Sequence, residues 1–199
     1  VDGLLAPASA PQQDGNMFVF VSERSCDGWP LGLGSHVSCD PNCSVGLAAP
    51  IMSIPALKVV EIGIGFESAR LPGSDVHDEI ELNVPRPRTG NVKRRTNRAG
   101  GLEGGITTGE QLIVRVGMKP ISTLMRPLGT VDFATSAPAA ATAERSDVTA
   151  VPALGVIAEA MVCFIVAQAM LEKFGGDSLA ETKRNHEAYV AHIARRIPH

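Results

Sequence analysis

Aromatic side chains are scarce: they make up 4% of the 199 residues, with a single tryptophan and a single tyrosine. Base-stacking platforms for single-stranded nucleic acid are therefore few. With 44% hydrophobic residues, the core must come from Val, Ile, Leu, Ala and Met. Cysteine is also sparse. Cys26, Cys39, Cys43 and Cys163 are too few for a disulfide scaffold at this length. Positive charge is in slight deficit, 18 Lys and Arg against 21 Asp and Glu, so the overall balance suits no polyanionic partner. No basic-then-apolar leader opens the chain, which begins at Val1. We read a cytoplasmic protein with reduced thiols, processed or truncated at its start. Long apolar runs are absent but for one, from Val151 to Leu171. It has spanning length, but Pro152, Glu159 and Gln168 interrupt it, and an ionisable group near mid-span is costly. A buried core helix is the expectation.

What is present divides by composition. Residues 1–16 are rich in Ala, Pro, Gln and Gly and read as a tail. MFVFVSE (17–23) reads as a strand, the apolar run from Gly46 to Lys58 as helix broken by Pro50 and Pro55, and KVVEIGIGF (58–66) as a strand. Residues 67–91 are polar and loop-like. QLIVRVGMKP (111–120) alternates as a half-buried strand does. TSAPAAATAERSD (135–147) reads as a loop. The long apolar helix then ends at Gly175 and Gly176. Ser178 and Glu181 have capping-box spacing for a last helix to about Arg195. Strands and helices without regular alternation argue for an α+β fold.

Several clusters could carry chemistry. NRAGGLEGGITTGE (97–110) holds five glycines in a GGxxGGxxxG pattern. The spacing matches neither a P-loop nor a dinucleotide fingerprint. Such glycines let a ligand approach the backbone, or make a tight turn between strands. Glu103 sits where it could brace the loop. Just upstream runs a basic stretch of Arg86, Arg88, Lys93, Arg94, Arg95 and Arg98. It could meet a phosphate or a nucleic acid, or be a solvated face. His36, Cys39 and Cys43, with Cys26 upstream, have spacing too uneven for zinc. His77, Asp78 and Glu79 fit a hydrogen-bonded loop anchor better than acid–base machinery. Lys119, Ser122 and Thr123 end a strand with a cation and two hydroxyls. Arg145 and Asp147 precede the apolar helix, where a carboxyl in apolar surroundings could act in proton transfer.

RRTNRAGGLEGGITTGEQLIVRVGMKPIST (94–123), RSDVTAVPALGVIAEAMV (145–162) and LEKFGGDSLAET (171–182) resemble the signature blocks of chorismate synthases. GLGSHV, MSIPALKVVEIG and FESARLPGSDVHDEI, upstream, fit the same family in the same order. The likeness covers roughly Pro30 to Asn185 and is most like the actinobacterial type. It divides the chain into 1–29, an unaligned tail or foreign segment, and a C-terminal family portion 30–199.

The resemblance implies a helical core between antiparallel sheets, a homotetramer and a soluble lyase of aromatic amino acid biosynthesis. The reaction it implies is 1,4-anti elimination of phosphate from 5-enolpyruvylshikimate 3-phosphate, giving chorismate with no net redox change. The cofactor is reduced FMN, and NADP is the associated nucleotide. No metal, nucleic acid or membrane is implied. Matched by motif, the flavin contacts are Pro55, Ala56, Gly104, Lys119, Pro120, Ile121, Ser122, Thr123 and Arg145. Asp147 is the catalytic residue, beside flavin N5.

The chain also departs from the family pattern. The Glu-Ser-His-Gly and Arg-Ser-Ser-Ala-Arg motifs of the family's N-terminal half are not in this sequence. With them go two catalytic histidines and several substrate-binding arginines. Ile64 replaces Asp in a Gly-Asp-Gly element, Pro50 falls in a family helix, and Cys39 to Ser44 replace a charged helix start. We expect this chain to be a fragment with little turnover alone. The alternatives are a non-catalytic fragment that binds FMN or assembles, and a nucleic-acid binder through Arg86–Arg98.

Overall fold

The computed structural model describes residues 18–23, 42–82, 92–122, 124–143 and 149–196. In chain order these contain β1 (Phe18–Glu23), α1 (Cys43–Met52), β2 (Leu57–Ile62), a 3-10 turn (Gly65–Ala69), the one-turn α2 (Gly73–Val76), β3 (Ile80–Leu82) and β4 (Val92–Arg94). The short strands β5 (Leu102–Glu103) and β6 (Ile106–Thr107) follow, then β7 (Ile113–Met118), β8 (Gly129–Asp132) and β9 (Ala137–Ala140). Two helices close the chain, α3 (Val151–Phe174) and α4 (Leu179–Arg196).

Every strand pair is antiparallel. β7 lies between β1 and β2 in a three-stranded sheet, and β3–β4, β5–β6 and β8–β9 form two-stranded ribbons. The alternation along β7 does what its pattern predicts. Val114 and Val116 are buried, while Ile113 and Arg115 are half-buried on the other face. On that other face Arg115 opposes Glu61, and its Nε is buried without a hydrogen-bond partner among the described residues.

The core joins the inner sheet face to α1 and α3. Leu47, Ile51, Ile54, Leu57, Val114, Val116, Leu154 and Ala158 form one buried cluster. The two helices run antiparallel. Cys43 at the start of α1 lies near Glu172 and Lys173 at the end of α3, and a Cβ on Gly46 would sit 3.8 Å from Ile165 Cγ2. Burial and the Glu172 charge push the Cys43 thiol above its ordinary pKa, against the opposing pull of Lys173, so it stays a neutral core group.

The helix ends have local causes. Asn42 caps α1, its side-chain oxygen accepting the N–H groups of Ser44 at 3.0 Å and Val45 at 3.3 Å. The helix does not break at Pro50, contrary to the sequence expectation. Pro50 falls in the last turn, and Ser53 closes the end by donating its hydroxyl to the Pro50 carbonyl at 2.6 Å. The β2 strand stops at Gly63, short of the expected Phe66, because Gly63 turns with φ +62. Residues 135–147 are not all loop: Ala137–Ala140 pair with β8, a strand held by its partner and not by propensity.

Gly175 ends α3, but in an extended and not a left-handed conformation (φ −49, ψ 176). The final carbonyls are capped from α4, where Asn185 Nδ2 donates to Phe174 O and Gly175 O, each at 3.0 Å. Phe174 is buried against His186 and Tyr189, fastening the two helices. The capping box at α4 is partly formed. Glu181 N–H donates to Ser178 Oγ at 3.3 Å, while the Glu181 carboxylate takes the N–H of Asp177 at 2.7 Å.

The long apolar helix is buried on one side only. Leu154, Gly155, Ala158 and Phe174 are covered, whereas Val156, Ile157, Phe164 and Leu171 are exposed. This 24-residue helix holds an 18-residue stretch of mean hydropathy 2.1, so by length and composition alone it could cross a membrane.

Candidate functional site

Two candidate segments meet at one end of the three-stranded sheet. Lys119 donates its backbone N–H to the carbonyl of Ala56 at 2.7 Å, just past the Leu57–Met118 pair of β2 and β7. This bond holds Pro55 and Ala56 beside the strand end that continues into Pro120, Ile121 and Ser122. Ala56 has φ +69, a left-handed conformation that a residue with a Cβ adopts only under local constraint. Pro55, Ala56, Lys119 and Ser122 are exposed there, and Pro120 and Ile121 are half-buried. Because α3 runs antiparallel to α1, its N-terminal end points to the same end of α1. Thr123, Arg145 and Asp147 lie outside the described residues.

Gly104 is not brought to this place. It occupies the β5–β6 turn with Gly105, at φ +58 and +78, as a two-residue hairpin turn with both residues left-handed requires. Gly105 accepts the N–H of Cys43 at 3.0 Å, which puts the turn at the start of α1. Pro55 and Ala56 follow the far end of that ten-residue helix, about 15 Å away at 1.5 Å per residue.

The glycine segment mainly admits the protein's own backbone. A Cβ on Gly100 would fall 2.3 Å from the nitrogen of Gly63, and one on Gly63 would fall 2.0 Å from the Arg98 carbonyl. A Cβ on Gly101 would meet the Gln111 carbonyl at 2.5 Å, and one on Gly105 the Asn42 side chain at 2.1 Å. Asn97 ties the segment together: its Oδ1 accepts the Gly101 N–H and its Nδ2 donates to Gln111 O, both at 2.8 Å.

Asp78 anchors the same block, the role that its cluster suggested. Its carboxylate accepts the Arg98 N–H at 2.8 Å, the Ala99 N–H at 2.9 Å and the Thr96 hydroxyl. Burial pushes its pKa up, but the hydrogen bonds from Thr96, Ala99 and Arg98 and the Arg98 charge outweigh that and hold it below the usual carboxylate value.

Three described members of the basic run, Lys93, Arg94 and Arg95, form ion pairs with acids. Lys93 pairs with Glu81 at 3.0 Å, Arg94 with Glu103 at 2.6 Å and Arg95 with Glu79 at 2.8 Å. Arg98 donates to the Asp75 carbonyl. The Glu103 carboxylate grips Arg94 with both oxygens and raises its pKa, so Glu103 does brace the loop. Arg86 and Arg88 lie outside the described residues, as do Cys26, His36 and Cys39 of the cysteine cluster. Among the described residues no group of His, Cys, Asp and Glu could hold a metal ion.

Residues 12–171 match the family model of chorismate synthase. The chain belongs to the chorismate synthase family. It is 54% identical over 176 residues to a chorismate synthase of Geobacter sulfurreducens, covering 87% of this chain and 45% of that protein. It is 51% identical over 196 residues to one from Rhodococcus jostii, covering 98% of this chain and 48% of the relative. A solved structure described as a crystal structure of chorismate synthase matches with a TM-score of 0.71 at 39% identity, over 91% of this chain and 45% of that one. The α+β fold is thus that of the family. The chain spans about half the length of the relatives it matches. The match begins at residue 12, within the stretch 1–29 that the motifs left unaligned.

Proposed function

We propose that this chain supplies one portion of a chorismate synthase, a lyase that eliminates phosphate from 5-enolpyruvylshikimate 3-phosphate to give chorismate. The carrying observation is the identity of about half the residues across nearly the whole chain. The Ala56–Lys119 bond supports it by joining two of the family-matched segments at one sheet end. A cation and a hydroxyl exposed beside a strained, exposed turn suit the phosphate and polar edge of FMN. Pro55 and Ala56 would bear on the flavin, with Lys119, Pro120, Ile121, Ser122 and Thr123 around its polar groups and Arg145 adding a planar donor fork. Gly104, at the other end of α1, would reach the same cofactor only along the length of that helix.

When bound, reduced FMN would supply transient electron density for the elimination, with no net redox change. The C–O bond to phosphate breaks, a ring C–H is lost as a proton, and a new C=C forms. Asp147 would carry a proton beside flavin N5. The acids that meet the phosphate side would come from histidines outside this sequence. The assembly is a homotetramer in the cytoplasm, with NADP the nucleotide linked to flavin reduction.

The test is anaerobic. FMN fluorescence quenching measures binding to this chain, and chorismate formation measures turnover, with and without a co-expressed polypeptide spanning the remainder of a relative. We expect weak FMN binding, negligible turnover alone and recovered turnover on complementation. No FMN binding in either form would reject the flavin assignment. Binding without recovered turnover would favour a non-catalytic, FMN-binding member.

A further inference from the structure

A cavity of about 250 Å³ opens where the end of β2, the 3-10 turn, α2 and the loop at Arg98 meet. β2 ends there at Gly63, whereas Ala56 and Lys119 mark its other end. The length of β2 separates the two places, roughly 20 Å at 3.3 Å per residue. The volume falls below the range of about 300–1,000 Å³ usual for drug-sized ligands, so its occupant is small. The walls are already held. Ile64 N–H donates to the Arg98 carbonyl at 2.9 Å, and Gly63 and Gly100 meet backbone to backbone. Walls fixed beforehand lose little freedom on binding.

The lining has two halves. Ile62, Ile64, Val76 and Ala99 form an apolar one. Ser68, His77, Asp78, Arg98 and Glu103 form a polar one. In the polar half the carboxylates are engaged and a strong donor is not. Asp78 accepts from Thr96, Arg98 and Ala99. Glu103 gives both oxygens to Arg94. The Ser68 hydroxyl donates to the Gly65 carbonyl at 2.7 Å. Arg98 is half-buried and donates one guanidinium N–H to the Asp75 carbonyl. Unlike Lys93, Arg94 and Arg95, it has no ion pair among the described residues. Asp78 feels the Arg98 charge without pairing with it. A guanidinium carries five N–H donors in a fork that fits a carboxylate, so Arg98 keeps donors for a ligand. Position 64 adds to this. An acid there, as in the Gly-Asp-Gly pattern, would lie on the wall of the same cavity. Ile64 leaves the Arg98 cation unmatched and widens the apolar half.

We propose that this cavity binds a small carboxylate with a compact apolar body. The carboxylate meets the free edge of the Arg98 fork, and the body lies against Ile62, Ile64 and Val76. The ligand would tie the 3-10 turn and α2 to the glycine block. The site belongs to the Ile64–Arg98 combination of this chain and needs neither flavin nor the lyase reaction. FMN binding can fail with this site intact, and the reverse.

Isothermal titration of the chain, without FMN, against 3-phenylpropionate, benzylamine and inorganic phosphate tests the assignment. We expect 3-phenylpropionate to bind at least about tenfold more tightly than either of the others. Arg98→Gln should weaken it by about tenfold or more. Ile64→Asp should do the same, because it sets an acid against the ligand carboxylate. Both changes leave the backbone bonds of Arg98 and Ile64 in place, and urea denaturation checks that each variant folds. In the unmodified chain, amide resonances of Ile64, His77 and Ala99 should shift on binding, and those of Ala56 and Lys119 should stay. No binding, equal binding of phosphate or benzylamine, undiminished binding to either folded variant, or shifts confined to Ala56 and Lys119 would each overturn the proposal.

Discussion

The glycine block and the β8–β9 hairpin are both built from short antiparallel strands, yet they solve opposite problems. From Asp78 to Ile113 the chain satisfies itself. Asp78, Asn97 and Glu103 hold backbone and guanidinium groups, and Gly63 and Gly100 meet backbone to backbone. From Leu124 to Ala140 the chain keeps its own ladder and leaves its apolar side chains in water. The difference teaches where changes should register: folding should feel the first region strongly and the second hardly at all.

The largest effect should come from Gly100→Ala. It combines a left-handed φ of +64 with a Cβ 2.3 Å from the Gly63 nitrogen. We expect a loss of about 3–5 kcal/mol, from the φ penalty plus overpacking, read by urea denaturation. If Gly100→Ala unfolds like the parent, the two loops are not locked together.

Asp78→Asn should cost about 2–3 kcal/mol, since a charged acceptor of three hydrogen bonds is replaced by a weaker one that also brings unwanted donors. The pH dependence gives the sign. The folded pKa of Asp78 lies below its ordinary value. Its contribution is therefore fully present above about pH 4, the unfolded carboxylate range, and is lost as pH falls through the folded value. Denaturation between pH 2 and 6 should show a shallower acid limb in Asp78→Asn. An unchanged limb would remove Asp78 from the account.

Asn42→Ala should cost about 1 kcal/mol through the lost cap of α1. Glu103→Gln should cost less, about 0.5–1 kcal/mol, because the pair it breaks is partly exposed. Phe133→Asp, at the hairpin, should change unfolding by less than about 0.5 kcal/mol. A large stability loss there would erase the contrast between the two regions.

Much of the fold was legible because its causes are local. Alternation along Ile113–Met118 marks a strand packed on one face. Ser178 three residues before Glu181 marks a helix start, whereas the start of α1, expected at Gly46, lies at Cys43 behind the Asn42 cap. Pro50 misled because the cost of an interior proline depends on which turn holds it, and the last turn tolerates what the middle does not. Ala137–Ala140 was illegible because Ala and Pro carry no strand preference. The motifs singled out Pro55–Ala56 and Lys119–Ser122 as candidates. Their proximity was not legible, because the two segments lie far apart along the chain. The pairing of β2 with β7 brings them together, and the Lys119 N–H closes the join on the Ala56 carbonyl.

By itself, the order of residues determined the strand and helix propensities, the caps and membership in a family with long colinear motifs. Only the tertiary structure decided what the glycines are for. Whether a bare backbone admits a ligand or another loop depends on what lies opposite, and Gly63 reaches Gly100 through the pairing of β2 with β7. It also decided that Lys93, Arg94 and Arg95 of the basic run are matched by Glu81, Glu103 and Glu79. Charge pairing acts across space over a few ångströms, and that distance is set by the sheet and not by the sequence.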